Sequence, residues 1–542
     1  MKRRLVALLD KVGLLSTAVG LKRVARTGAG TARRRWRAWR TRDRFAHVAG
    51  EGRRVVTAHD WPLVTEPATT FDPLADRAAN LDRVLLACAR AEATHFVSRA
   101  EAPGRSRAGV VGPVRGVLET IETDASGGMV AIERQSTIAG VAPASAAMSI
   151  ADELRPGDLI LLFRPIALPD GALHDGLGTA CELETWTTED PDSDTLVTQA
   201  PNPVSRQMNV EGDGRLDVPE FGWLGDDWAP PFEIDVVYTW VDGTDPAWIE
   251  RQREFRPVDA ASDGATAERF EPFDELRYSL RSLRQHVPFV RRIFLVTDRQ
   301  RPEWLLDDAG VAVVDHSEIF RPVDALPVFN SHAIESQLHH VPGLAEHYVY
   351  LNDDVFFGRN VPWTTFFTVG GLARFAESRA RIPIRPLGSD PAVDHSGANA
   401  QRLLFELVGR APSRKIKHTP HPQIRSVHEE LERRIPDVYE RVARSRFRSV
   451  HDISLAVLFH HRYGEATGRA IPGRYDYDYL NLSRADLPAL LDQLAVRRPT
   501  TFCLNDAALP SDRRSDVRSL LQRHLAAMFP VAAPWEKHSR HG

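Results

Sequence analysis

Cysteine is scarce in this 542-residue sequence: Cys88, Cys181 and Cys503 are the only three. Far apart and odd in number, they make neither a disulfide framework nor a CxxC metal pair. A reducing, cytoplasmic location fits that usage. Long apolar runs are missing too. LLSTAVG (14–20) and DLILLF (158–163) fall well short of the roughly 20 residues that a membrane span needs. The opening MKRRLVALLDKVGLL has the basic start of a signal peptide, but Asp10 and Lys11 interrupt its apolar stretch, so it is read as retained. Charge of one sign is not in excess: 69 Lys and Arg stand against 73 Asp and Glu, a net of −4. No whole-protein field therefore points to nucleic acid. Neither G-x-G-x-x-G nor G-x-x-x-x-G-K-[ST] occurs at a strand–helix turn, which excludes the usual dinucleotide and P-loop sites, and H-E-x-x-H is absent. There is no internal repeat.

What is present is ordinary globular material, 43% hydrophobic and 26% charged, long enough for several domains and a large core. Residues 1–55 form a basic arm, with eight arginines and one aspartate in RTGAGTARRRWRAWRTRDR (26–44). Trp36 and Trp39 lie inside the run, so the arm reads either as an amphipathic helix on an anionic membrane surface or as a solvated arm. Residues 56–205 read as a small α/β module with no chemical motif. Helices are expected at LDRVLLACARA and VRGVLETIE, and strands at THFVSR, RAGVVG, GMVAIER and DLILLFRPIAL. Residues 206–232, rich in Pro, Gly and Asp, read as a linker.

The pattern sharpens in 233–530. IDVVYTWV (234–241), RIFLVTD (292–298), VAVVDH (311–316) and HYVYLNDDVFFG (347–358) are short apolar, β-branched or aromatic runs that suit buried strands. Between them lie helical patterns. One runs from Asp274, a candidate N-cap, to Pro288, with Leu276, Leu280, Leu283 and Val287 on one face. The other is SHAIESQLHHV, with Ile334, Leu338 and Val341 on one side. Strand–helix alternation predicts an α/β fold, Rossmann-like, with a mostly parallel sheet and helices on both faces. Ligands of such sheets bind beyond the carboxyl ends of the strands, and the four runs end in Asp242, Asp298, Asp315 and Asp353–Asp354. Farther on, DISLAVLFHHRYG predicts a helix capped by Asp452 and closed by Gly464.

Four stretches carry candidate chemistry. In LNDD (351–354), Asn352, Asp353 and Asp354 follow a buried strand. Paired carboxylates there suit Mg²⁺ or Mn²⁺, which prefer oxygen ligands and bridge to a diphosphate; a plain turn is the competing reading. HTPH (418–421) offers His418, and zinc would need further ligands. CLND (503–506) places Asn505 and Asp506 after another apolar run. Arg448 sits in RFRSVHD. Glu275 and Arg277, on the 274–287 helix, either orient substrate or pair with each other.

Taken together, IDVVYTWVDGTDPAW (234–248), ERFEPFDELRYSLRSLRQHVPFVRRIFLVTDRQ (268–300), FNSHAIESQLHHVPGLAEHYVYLNDDVFFG (329–358) with SRKIKHTPHPQI and FRSVHD, and TTFCLND (501–506) resemble, in order and spacing, the conserved regions of the Stealth family. That family includes bacterial capsule and exopolysaccharide phosphotransferases and the catalytic part of the animal GlcNAc-1-phosphotransferase. The resemblance covers about 233–510. It implies a glycosyltransferase-like catalytic core that takes a UDP-sugar (UDP-GlcNAc or similar) with a divalent cation, Mg²⁺ or Mn²⁺. Hexose-1-phosphate would pass to a hydroxyl of a cell-surface polysaccharide, with UMP released. By motif position it implies Asp353, Asp354 and Asp506 as metal ligands and His418, Arg448 and Asp354 as catalytic. The candidate substrate-binding residues are Asp242, at a turn where some relatives carry Asn, Asn399, which resembles a family Asn, and, from their own runs, Arg277, Asn352 and Asn505. The alternatives are a metal-dependent glycosyltransferase releasing UDP and a non-catalytic polysaccharide-binding protein. The expected location is cytoplasmic, with the arm peripheral on the inner face of the plasma membrane.

Overall fold

A computed structural model describes Phe45 and, with short interruptions, residues 53–209, 228–256 and 272–537. The basic arm, Phe45 and its last residues apart, and most of the expected linker lie outside the described residues. The chain divides into two compact units, 1–219 and 220–542.

The first unit opens with β1 (Arg54–Ala58) and β2 (Trp61–Pro67), then α1 (Pro73–Arg90), β3 (His95–Ser98), β4 (Ser106–Val111), α2 (Arg115–Thr123), β5 (Met129–Arg134) and β6 (Thr137–Pro143). It continues through β7 (Leu159–Phe163), β8 (Ile166–Ala167), β9 (Leu173–His174), β10 (Cys181–Thr188), β11 (Thr195–Val197) and β12 (Gln207–Asn209). The helices and strands read from the sequence are there. Asp72 caps α1 through the Leu74 and Ala75 amides, a helix start that Asp-Pro favours. The sheets are mostly antiparallel, the exceptions being β4 beside β10 and β2 beside β8. In the first of these, Arg107 stands opposite Glu182. Its Nε and Nη2 donate to Glu182 at 2.8 and 2.5 Å and its Nη1 to Glu184 at 3.2 Å, all inside the core. Burying a guanidinium is costly unless it is paired in this way.

The second unit is built on β13 (Ile234–Thr239), α3 (Pro246–Phe255), α4 (Glu275–His286), β14 (Ile293–Thr297), β15 (Val311–Asp315), α5 (His316–Ile319), α6 (Ser331–Glu335), β16 (His347–Asn352) and β17 (Val355–Phe357). There follow β18 (Ala373–Arg381), α7 (Ala392–Val408), β19 (Arg414–Ile416), β20 (His421–Ile424), α8 (Arg425–Arg434), α9 (Pro436–Ala443), α10 (His460–Ala466), β21 (Ala470–Gly473), β22 (Tyr477–Asn481), α11 (Leu487–Arg497), β23 (Thr501–Asn505) and α12 (Arg514–Met528). The central sheet runs β15-β14-β13-β16-β20. The first four strands are parallel and β20 returns antiparallel. Their residues alternate between two cores. Val236, Tyr238, Leu295, Val349 and Leu351 meet Leu276, Leu280 and Leu283 of α4. Val237, Phe294, Val296, Tyr348 and Tyr350 meet Ile319, Leu338, Val341 and Ala443 on the other face. This is the expected mostly parallel sheet covered on both faces, with all four acid-bearing strand ends on one edge. The order reverses between β13 and β16, and that crevice is where such sheets receive ligands. A three-stranded sheet, β17-β23-β22, sits directly after β16 in the chain and sets Val355 opposite Cys503.

Three local expectations change. Asp274 does not cap α4; it lies at φ 71° and its side chain makes no cap bond. The helix expected over 331–341 breaks into α6 and a 3-10 turn, Leu338–His340. Ser336, Gln337 and His339 are as buried as the apolar residues beside them, and the Ser336 hydroxyl donates to the Ala333 carbonyl at 2.7 Å. The helix ending in α10 starts with a π-helical turn, Leu455–Phe459, capped by Ser454 rather than Asp452, and runs past Gly464 to Ala466.

Candidate active site

Four strands deliver acids to one edge, but most of those acids are engaged. Asp242 accepts from the Thr244 amide and hydroxyl at 2.8 and 2.6 Å, an Asx turn that shapes its loop. Asp298 pairs with Arg251 at 3.0 Å. Asp315 closes a capping box with Glu318 at the start of α5. Asp353 and Asp354 lie in the turn between β16 and β17, beside the point where the strand order reverses, and Asp354 is engaged by residues from other segments.

Distant segments converge on Asp354. His418, just ahead of β20, donates Nε2–H at 3.1 Å. The Cys503 thiol of β23 donates to Oδ2 at 3.2 Å, and Asn505 Nδ2 stands 3.4 Å from the same oxygen. The Leu504 amide donates to the Asp354 carbonyl at 3.0 Å, locking the turn to β23. Burial opposes charge on both members of the Asp354–His418 pair. Their mutual attraction outweighs it, holding the carboxyl below its ordinary value and the imidazole above. Asp353 feels His418 too, but too weakly to offset what opposes its charge. Burial first, then the Asp354 charge, push it up to about 7. Glu275, at the start of α4, is pushed well up by burial and by Asp353 and Asp354. Two adjacent carboxylates with a third acid nearby repel one another, and a divalent cation relieves that repulsion.

The donor set fits such an ion. Asp353 and Asp354 offer hard oxygens, and ligand atoms of Asp354, His418 and Cys503 lie within 4.8 Å of one another. The Cys503 thiol, fully buried, has its pKa raised far above the ordinary value, first by desolvation and then by Asp354, so it stands as S–H and not as a thiolate ligand.

The other residues singled out in the sequence are placed as follows. Asn352 ends β16, opposite Thr239 in register. Asp506 follows Asn505, but its carboxylate accepts from Arg514 at 2.7 Å and from the Leu509 amide at 3.1 Å. Arg448 donates to the Ser331 hydroxyl at 2.8 Å. Its loop is held by Asp452, which is buried and accepts from Asn330, Ser445 and Ser449. Asn399, on α7, donates to the carbonyls of Val450 and Asp452, both at 2.9 Å, so it pins the Arg448 loop. Arg277 pairs not with Glu275 but with Glu536, at 2.6 Å, alongside Arg281 at 2.7 Å.

Sequence reasoning passed over Cys503 and Glu335. Glu335 is buried on α6, 3.2 Å from the Tyr350 hydroxyl, and its charge adds to the field on His418. The available signal was a lone acid in AIESQ, within an otherwise uncharged run.

Family models match along the second unit: Stealth protein CR1, conserved region 1, over residues 232–257; conserved region 2 over 269–375; conserved region 3 over 417–465; and conserved region 4 over 492–541. An exopolysaccharide phosphotransferase of Streptomyces coelicolor is 36% identical over 561 residues, spanning 98% of this chain and 92% of that protein. The exopolysaccharide phosphotransferase CpsY of Mycobacterium tuberculosis is 36% identical over 421 residues, 73% of this chain and 77% of that protein. Among solved structures, the galactosyltransferase LgtC aligns at 11% identity over 55% of this chain and 96% of that one, with a TM-score of 0.29. Mouse xyloside xylosyltransferase 1 aligns at 11% identity over 51% and 99%, with a TM-score of 0.25.

Proposed function

Because the chain belongs to the Stealth family and is a sugar-phosphate transferase of the exopolysaccharide phosphotransferase kind, we propose that it takes a UDP-hexose and passes hexose-1-phosphate to a polysaccharide hydroxyl. The observation that carries this reading is the meeting of His418, Cys503 and Asn505 on Asp354 at the sheet's switch point.

In this reading Asp353 and Asp354 hold Mg²⁺ or Mn²⁺, which supplies positive charge for the donor diphosphate. His418 is the general base. With Nε2–H given to Asp354, the lone pair of the neutral ring lies on Nδ1, which takes the proton of the acceptor hydroxyl. The acceptor oxygen bonds to the β-phosphorus. The bond from that phosphorus to the oxygen bridging the α-phosphate breaks, and UMP leaves with that oxygen. The sugar C1–O bond is untouched, so anomeric configuration is kept. Arg448 is permanently charged and forked, suited to the phosphoryl oxygens, and Asn399 positions it through the loop. Asn352 and Asn505 supply amide groups for the donor. Asp506, with Arg514 against it, and Asp242, in its Asx turn, shape the rim, and Arg277 braces α4. The basic arm carries the enzyme to an anionic leaflet, where its polymer acceptor is made; no helix among the described residues is long and apolar enough to cross a membrane.

A nucleotide-release assay over a panel of UDP-sugars, with Mg²⁺ and an acceptor fraction, tests the reaction. UMP release abolished by chelator is expected. UDP release would assign glycosyl transfer instead, because the bond broken would then be at C1. Vesicle co-sedimentation unchanged on deleting residues 1–55 would remove the membrane role.

A further inference from the structure

A second polar cluster lies apart from Asp354, on the sheet face opposite α4. The 3-10 turn Leu338–His340 meets α8 there. His339 and His340 bring their Nε2 atoms to a single oxygen, Oε2 of Glu432, at 3.0 and 2.9 Å. His340 also places Nδ1 3.0 Å from the Ile319 carbonyl. A carbonyl only accepts, so Nδ1 carries the proton. A neutral His340 therefore turns its Nε2 lone pair, not a hydrogen, toward the carboxylate. Two acceptors at 2.9 Å repel unless a positive centre lies between them, either a second proton on the ring, which makes a plain ion pair, or a metal ion.

We propose that this centre is a bound Zn²⁺-type ion, held by His339 Nε2, His340 Nε2 and a Glu432 oxygen. The three ligand atoms lie within 4.8 Å of one another. Two imidazoles and a carboxylate are a zinc donor set, whereas Mg²⁺ and Ca²⁺ favour oxygen alone. The Ile319 carbonyl is the kind of partner that a ligating histidine keeps on its other nitrogen. Zinc bonds of about 2.0–2.2 Å at tetrahedral angles set ligands about 3.3 Å apart, so each histidine nitrogen needs to draw back from the Glu432 oxygen by only a few tenths of an ångström. The His339 side chain is fully enclosed and that of His340 nearly so, while Glu432 is 29% exposed. The ion enters from the Glu432 side and keeps a fourth position there. It ties the turn ahead of β16 to the helix that follows β20. Those strands adjoin Asp353–Asp354 and His418, so the ion clips together the two segments that carry the reaction, without touching substrate.

The test uses the full chain carrying Asp354→Asn, which removes the catalytic cation site, stripped with chelator and titrated with Zn²⁺ by calorimetry and with Co²⁺ by visible absorption. One equivalent is expected, with an intense low-symmetry Co²⁺ band. It should be lost on adding Glu432→Gln or His340→Gln. X-ray absorption of the Zn²⁺-loaded Asp354→Asn protein, which needs no change at the clip, should show two imidazoles and no sulfur. No bound equivalent, an equivalent indifferent to both substitutions, or a sulfur-containing shell would overturn the proposal.

Discussion

Asp452 offers the sharpest test of how the Arg448 loop is held. Its carboxylate is 1% exposed. Oδ2 accepts from Asn330 Nδ2 at 2.9 Å and from the Ser449 amide at 3.1 Å. Oδ1 accepts from the Ser445 and Ser449 hydroxyls at 2.6 and 3.1 Å. The two sides differ chemically, because hydroxyls can turn round and accept, while an amide N–H cannot. In Asp452→Asn the new amide oxygen fits the Oδ2 side, and its NH₂ faces the two hydroxyls, which rotate to receive it. Only the charge assistance is lost, about 1–2 kcal/mol. Asp452→Ala strands the Ser449 amide, leaves Asn330 with only its longer contacts to Ser445 and the Phe447 carbonyl at 3.3 and 3.4 Å, and opens a cavity, about 3–6 kcal/mol in all. The Arg448 loop then shifts, and a misplacement of about 1 Å costs roughly 100-fold in turnover. Urea unfolding of both variants, with UMP release measured well below the transition, checks this. Equal destabilisation by Asn and Ala would refute the donor accounting. An Asp452→Ala protein of reduced stability but undiminished turnover would refute the link to Arg448.

Replacing His418 by Gln should lower turnover by about 10²–10⁴ with the circular dichroism spectrum unchanged; full activity would remove it as the base. Glu536 is held below the ordinary carboxylate value, burial opposing the charge and Arg281 and Arg277 outweighing that opposition. A depressed folded pKa gives stability that is present above the unfolded value, near 4.3, and is lost as pH falls below it. Glu536→Gln should therefore cost about 3–5 kcal/mol at neutral pH and flatten the acid side of the stability curve, read by thermal melts from pH 6 to 3. In the first unit, Arg107→Ala leaves Glu184 buried without a guanidinium and Glu182 with Arg105 alone, at 3.3 Å, and should cost about 3–5 kcal/mol by chemical denaturation. Cys503 should resist iodoacetamide in the native protein and react once it is unfolded, as a mass shift shows.

The sheet was legible because its strands are continuous buried runs, and runs such as IDVVYT and HYVYL have no other plausible home. The Asp353–Asp354 turn was legible for the same reason: the strand before it fixes where the acids emerge. What stayed hidden depends on partners remote in the chain. Nothing local tells that Asp506 faces Arg514, or that Asp452 holds a loop when its position before an apolar run resembles a cap. The break after Glu335 was hidden because the helical pattern assumes one wet face, and Ser336, Gln337 and His339 have none. The role of the Cys503 thiol was hidden because Asp354, to which it donates, is 149 residues away.

The span between Asp354 and Cys503 has a further consequence during synthesis. The turn that carries the acids leaves the ribosome long before β23 exists to lock it. At about 5–20 residues per second, the 149 intervening residues take roughly 8–30 s. Over that interval the acidic turn lacks its Leu504 amide, its thiol and its asparagine, and Arg281 lacks Glu536, which lies 255 residues downstream. If the Asp354 cluster is the active site, as proposed, a nascent chain stays silent toward donor sugar until almost all of the second unit has been made, and a ribosome stalled before residue 500 holds a sheet but no enzyme.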